Sequence, residues 1–98
     1  MIEFHEAFAS QVLANLAALD SQIFFDEKLQ GMKKVGAIPM EKLNTRGGSL
    51  SIGHPFGATG ARIVTTAANR LISEDGRFAL VAACADGGLG HACLLERY

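Results

Sequence analysis

Three histidines and two cysteines are the side chains of this chain best suited to moving a proton near neutral pH. His54 stands in Gly53-His54-Pro55-Phe56-Gly57, directly before a helical pattern. Pro55 disfavours a helical backbone at His54 and holds it extended. A following helix N-terminus offers unpaired N–H groups and the positive end of a dipole. That setting suits an imidazole that stays neutral and serves as base or hydrogen-bond donor. Cys84 closes an apolar run and meets a glycine turn, Asp86-Gly87-Gly88-Leu89-Gly90. A small buried thiol is common in cores, but a strand end facing a loop is where reactive groups are mounted. A thiol there can attack or donate a proton. His5, in His5-Glu6-Ala7-Phe8, lies at a strand-to-helix junction. Glu6 could simply complement the dipole of that helix.

Other chemistries fit less well. No CxxC or HExxH spacing joins the histidines and cysteines, so no metal site is expected. His91 and Cys93 share a strand face, but two residues do not make a site, and Cys93 reads as packing. No lysine follows the glycines in a phosphate-loop pattern, and GxGxxG fails too. Net charge is −1 with no basic run, which argues against nucleic acid and anionic membranes as partners. No apolar stretch is long enough to span a bilayer. A composition of 49% hydrophobic and 19% charged residues excludes a disordered tail.

Positioning these groups requires a small α/β arrangement. Residues 2 to 5 read as a short strand. Ala9, Val12, Leu13, Leu16 and Leu19 recur at helical spacing and predict a buried stripe on a helix over about 6–19. Residues 21 to 41 are mixed and mostly exposed, with Gly31, Gly36 and Pro39 breaking regular structure. A second, largely buried helix is expected over about 58–73, with Ala61, Val64, Ala67, Ala68 and Leu71 on one face and Ile63 and Ile72 extending it. Residues 78 to 84 form a continuous apolar run, as in a strand covered on both faces. Residues 91 to 97 predict a final antiparallel strand.

The run Asn44-x-x-Gly47-Gly48-Ser49-Leu50-Ser51-Ile52-Gly53-His54-Pro55-Phe56-Gly57-Ala58-Thr59-Gly60 resembles the C-terminal signature of thiolases. Cys84-Ala85-Asp86-Gly87-Gly88-Leu89-Gly90 is similar to the family's last catalytic loop. His5-Glu6-Ala7-Phe8 resembles its Asn-Glu-Ala-Phe motif, with His for Asn as in the trifunctional-complex β-subunit branch of fatty-acid oxidation. The three motifs occur in family order and span nearly the whole chain.

The resemblance implies an acyltransferase parent that cleaves 3-ketoacyl-CoA with CoA, or runs the reverse Claisen condensation. CoA and acyl-CoA are then substrates, and no cofactor is expected. His54 matches the histidine that activates a nucleophilic cysteine and helps hold the thioester oxygen. Cys84 matches the second cysteine, which shuttles the proton at the α-carbon. His5 takes the place of the asparagine that positions a water in one oxyanion hole. The backbone of Asp86 and Gly87 would serve the other oxyanion hole, although most relatives carry a small residue where Asp86 stands. Ala7, Phe8, Gly53 and Pro55 would border the substrate.

The implied fold is a partial thiolase-like C-terminal domain over residues 1–98. Its two main helices pack on a small mixed sheet that ends in an antiparallel hairpin. Family members are several times longer, so this chain is expected to lack the N-terminal half and its nucleophile, and to be inactive alone. The family's central strand would lie upstream, leaving the strand at 2–5 without a neighbour and the hairpin edges exposed. A homo-oligomeric parent is expected. Free thiols suggest a reducing compartment such as the cytoplasm. The competing expectation is a non-catalytic segment that acts as an interaction or self-association module, favoured by the large apolar fraction of a small chain.

Overall fold

The computed structural model describes all 98 residues. Strand β1 (Ile2–Phe4) leads to helix α1 (Ala9–Leu19) and a short helix α2 (Gln22–Lys28). A 3₁₀ turn at Met40–Lys42 precedes the one-turn helix α3 (Ser49–Ile52) and the long helix α4 (Thr59–Ser73). The hairpin β2 (Phe78–Ala85) and β3 (Leu89–Glu96) completes the chain. The sheet is mixed, in the order β1-β2-β3. The α/β class, the two main helices and the closing hairpin are therefore as the sequence led one to expect.

One expectation about the sheet fails. Strand β1 does have a neighbour: it pairs in parallel with β2, Ile2 beside Leu80 and Phe4 beside Ala82. Its other edge is covered as well. Ile2 bridges Leu43, and the Asn44 backbone N–H donates to the Ile2 carbonyl at 2.9 Å. The Asn44 side chain accepts from the Phe4 N–H at 2.8 Å and donates to the Phe4 carbonyl at 2.9 Å. A side-chain amide thus supplies the donor and acceptor that a further strand would supply. Of the hairpin, only the outer edge of β3 stays unpaired.

The core lies between α4 and one face of the sheet, where Ile63, Ala67 and Leu71 pack on Ala79 and Val81. Cys93 packs against this cluster, as expected of it. The buried face of α4 differs from the expected one. Thr59, Ile63, Ala67, Arg70 and Leu71 turn inward, while Ala61, Val64, Ala68 and Ile72 are exposed. The two faces share Ala67 and Leu71, and they differ at their flanks, where Thr59 and Arg70 turn inward in place of Ala61, Val64 and Ala68. The sheet is covered fully on only one side. Leu80, Ala82 and Cys84 on the other are half-buried beneath α1.

Helix α1 starts at Ala9 rather than near residue 6, and none of its residues is fully buried. Val12, Leu16 and Leu19 are half-buried; Ala9 and Leu13 are exposed. The late start follows from the strand continuing past its formal end. The His5 N–H donates to the Ala82 carbonyl at 2.8 Å, and Phe8 is still extended at φ −147°. Helix α2 was not foreseen. Its start is set by Ser21, whose hydroxyl accepts from the Phe24 N–H at 3.2 Å, and Phe25 anchors it in the interior. The helix-breaking glycines at 31 and 36 fall beyond it.

Candidate active site

Two short-range devices deliver His54. Helix α3 ends at Gly53, which adopts φ +90°, a backbone shape that only glycine takes without strain. Helix α4 then begins at Thr59, so His54 sits in the bend between two helices. Its Nδ1 lies 2.6 Å from the Thr59 hydroxyl, which also donates to the Pro55 carbonyl at 3.3 Å. With the hydroxyl proton on that carbonyl, Nδ1–H donates to Thr59 and Nε2 is left with its lone pair, the form a base requires.

His5 arrives from the end of β1, buried to 6% exposure. Its ring lies against that of His54, with centroids 4.4 Å apart and planes tilted by 40°. Phe56 meets the other side of His54 edge-on at 4.8 Å. The His5 Nδ1 is 2.9 Å from the Ser49 hydroxyl, and Arg62 of α4 donates to that same hydroxyl at 3.1 Å. Burial lowers the pKa of His5, and the neighbouring His54 and Arg62 push it the same way, against Glu6. His5 is thus held neutral.

Glu6 does not serve α1. Its carboxylate accepts from the Leu50 N–H at 3.0 Å, within the first turn of α3, and from the Asn44 side chain at 2.8 Å. It therefore complements the N-terminus of the short helix that leads into His54. Gly48 is needed for this approach, because a Cβ there would overlap the Glu6 carboxylate.

Cys84 is half-buried near the end of β2, paired with Gly90. The turn after it places Asp86 and Gly87 on the same cavity as the histidines. Asp86 Oδ1 accepts from the Gly87 N–H at 2.9 Å. That bond occupies the Gly87 donor and turns the carboxylate back on its own loop. The Asp86 N–H has no partner in the chain. Of the two backbone donors expected, Asp86 is therefore the free one.

A cavity of about 760 Å³ gathers these groups. His5, His54, Cys84 and Asp86 line it together with Ala7 and Phe8. Phe8, Phe56 and Leu89 form an exposed apolar rim. Gly53 and Pro55, expected at the substrate, do not line it; they shape the backbone around His54. Sequence reasoning passed over Ser49, Arg62, Thr59 and the role of Glu6. Ser49, Thr59 and Arg62 left a trace only in lying inside or beside the glycine-rich run, and Glu6 only in following His5.

Known proteins are similar to this chain over nearly its whole length. The family profile described as "Thiolase, C-terminal domain" matches residues 1–97. The bovine (Bos taurus) "Trifunctional enzyme subunit beta, mitochondrial" is 58% identical over 98 residues, covering 100% of this chain and 21% of that protein. A "Probable 3-ketoacyl-CoA thiolase" of Caenorhabditis elegans is 57% identical over 98 residues, 100% of this chain and 22% of its own length. A crystal structure of the Bacillus anthracis acetyl-CoA acetyltransferase superposes with a TM-score of 0.72 at 30% identity, over 98% of this chain and 20% of that one. The chain thus spans about a fifth of the length of these relatives. The cytoplasmic expectation does not survive the comparison, since the bovine relative is named as mitochondrial. Two free thiols speak for a reducing compartment, and the cytosol is only one such place.

Proposed function

This chain belongs to the thiolase family, as its C-terminal domain, and from that premise we propose that it supplies the acid–base half of an acyl-CoA thiolysis site. The observation that carries the reading is that His5, His54 and Cys84 open on one cavity although they come from three separate motifs. In the degradative direction, His54 Nε2 takes the thiol proton of a nucleophilic cysteine from the remainder of the enzyme. The thiolate adds to the keto carbon of 3-ketoacyl-CoA. The carbon–carbon bond then breaks, its electron pair passes to the acetyl unit as an enolate, and the Cys84 thiol protonates that carbon. The acyl group left on the nucleophile passes to the thiol of CoA. The Asp86 N–H, and a water held by His5, stabilise the oxyanions that form. Ala7 and Phe8 border the acyl chain. No cofactor enters, and the parent is a homo-oligomer in the compartment named for its mitochondrial relatives.

These 98 residues alone are inactive on this reading. Cys84 is assigned to proton transfer, and Cys93 packs in the middle of β3 against the core. No thiol remains to act as nucleophile. Thiolysis of acetoacetyl-CoA by the isolated chain is expected not to rise above buffer, and turnover clearly above it sinks the claim. In an enzyme containing this segment, His54→Ala and Cys84→Ala are each expected to lose about 100-fold or more in rate. Near-normal turnover of either variant removes that residue from the mechanism. The competing reading, a self-associating module, draws on exposed Phe56 (89%) and Ile72 (67%). A monodisperse monomer by light scattering counts against it.

A further inference from the structure

Ser49 and Arg62 lie outside the acid–base chemistry, yet they reach it through an ordered pair of hydrogen bonds. The Ser49 hydroxyl is buried and has two side-chain partners, Arg62 Nη2 at 3.1 Å and His5 Nδ1 at 2.9 Å. A guanidinium can only donate. The hydroxyl therefore accepts from Arg62, and its own proton has one acceptor within reach, the lone pair of His5 Nδ1. The opposite arrangement, with Nδ1–H donating to Ser49, leaves a buried hydroxyl proton with nothing to bond. Buried polar groups seldom remain so.

We infer that Arg62 and Ser49 are positioning residues that fix His5 as its Nε2–H tautomer, so that it presents a hydrogen-bond donor to the cavity. Nε2 has no partner within the chain and His5 lines the cavity, so the donor is available to a water or a carbonyl oxygen. The inference rests on the reading above that His5 faces the reacting thioester. It adds the reason a histidine can do there what an amide side chain would do. A free imidazole presents either a donor or an acceptor, and only the donor form suits a developing negative charge. The ion balance agrees. His54 and Arg62 oppose a positive charge on His5, and Glu6, which favours one, is engaged by Asn44 and the Leu50 N–H. The two touching rings then differ in role: His54 keeps its Nε2 lone pair, whereas His5 keeps its Nε2 proton.

The test reads the tautomer and needs no turnover. Histidine ring nitrogens of the 98-residue chain are labelled and observed by long-range proton–nitrogen correlation, at a pH where the imidazoles are neutral. His5 is expected to show a protonated, pyrrole-type Nε2 and a pyridine-type Nδ1, as a single form. Ser49→Thr, which keeps the hydroxyl, is expected to retain that form. Ser49→Ala and Arg62→Met are expected to lose it and give a mixture. An Nδ1–H form or a mixture in the unsubstituted chain overturns the inference. So does a spectrum of Ser49→Ala that matches the unsubstituted chain. The thiolysis reading fails by a different sign, unchanged rates in His54→Ala and Cys84→Ala, so the two failures are separable.

Discussion

Replacing Arg70 with methionine removes the only cation from the interior of the fold. Arg70 and Glu3 are each 2% exposed, with Arg70 Nη1 2.6 Å from a Glu3 carboxylate oxygen. The same Nη1 reaches the carbonyls of Ile2 at 3.4 Å and Lys42 at 3.3 Å, while Nε and Nη2 hold Glu74. One side chain thereby ties α4 to β1 and to the 3₁₀ turn. In Arg70→Met, Glu3 stays buried without a counter-ion, and such losses cost about 3–5 kcal/mol. Protonation of Glu3 sets a ceiling on its share. From an ordinary value of 4.5, staying protonated at pH 7 costs about 3.4 kcal/mol, at about 1.4 kcal/mol per unit. Burial already raises the pKa of Glu3 against the pull of Arg70, so removing the arginine raises it further. A raised carboxyl pKa makes the folded state bind more protons than the unfolded one. Stability is then lost as pH rises from about 4.5 through the folded value, and the penalty of the variant shrinks on acidification. Glu74, at the helix end, relaxes into water. Urea unfolding followed by circular dichroism measures the effect, since the chain has no tryptophan and Tyr98 is exposed. The loss should be about 3 kcal/mol at pH 7, out of about 5–15 kcal/mol for an ordinary domain. Glu3→Leu combined with Arg70→Met should recover most of it, because apolar replacement of a whole buried pair is often neutral or better. A loss under about 1 kcal/mol, or a double variant no more stable than the single one, refutes the reasoning.

Two further outcomes follow from the site's supports. Gly48→Ala pushes the Glu6 carboxylate off the Leu50 N–H and Asn44, two charge-assisted bonds, and should cost about 2 kcal/mol in the same unfolding assay. An unchanged midpoint would mean that Glu6 has room to move without loss. The lowered pKa of His5 predicts that its stabilising effect is complete above about pH 6.5, its unfolded value, and is lost as pH falls from there through the folded value. The unsubstituted chain should therefore lose stability between neutral and mildly acid pH faster than His5→Asn, by up to about 1.4 kcal/mol per pH unit. Parallel profiles for the two proteins contradict this.

The parts of the site legible in the sequence are those whose signal is local. Gly53-His54-Pro55 and the Cys84 loop carry glycine or proline close to the candidate group, His5 opens the short run His5-Glu6-Ala7-Phe8 at a strand end, and all three line one cavity. Local patterning also located α4 and the hairpin to within a few residues. What it did not resolve depended on partners distant in sequence. The orientation of α4 was settled by Arg70 turning inward to meet Glu3, 67 residues away, which no apolar periodicity encodes. Strand β1 pairs with β2 some 78 residues away in the chain, and its far edge is covered by Asn44, 40 residues from Phe4. Helix α2 was masked by exposed charge around a single buried anchor, Phe25.

Those long-range contacts share a direction, and it bears on how the site is held. His5 is tied to Ser49 and Glu6 to Leu50, each across 44 residues, and both bonds join the end of β1 to helix α3. Arg62 then joins α3 to α4, and Thr59 of α4 holds His54. The two imidazoles are therefore oriented by a run of polar contacts from β1 through α3 to α4, and their own ring contact closes the loop within this chain. A loop of contacts of this kind resists piecemeal change, because moving the His5 ring strands the proton of the buried Ser49 hydroxyl. Cys84 stands outside it and is held only by its strand, next to a turn in which Asp86 bonds the adjacent amide. The histidine pair is thus oriented by contacts made within these 98 residues. The thiol is placed by a strand end instead, and in the proposed mechanism it is the group that gives a proton to a carbon and takes one back.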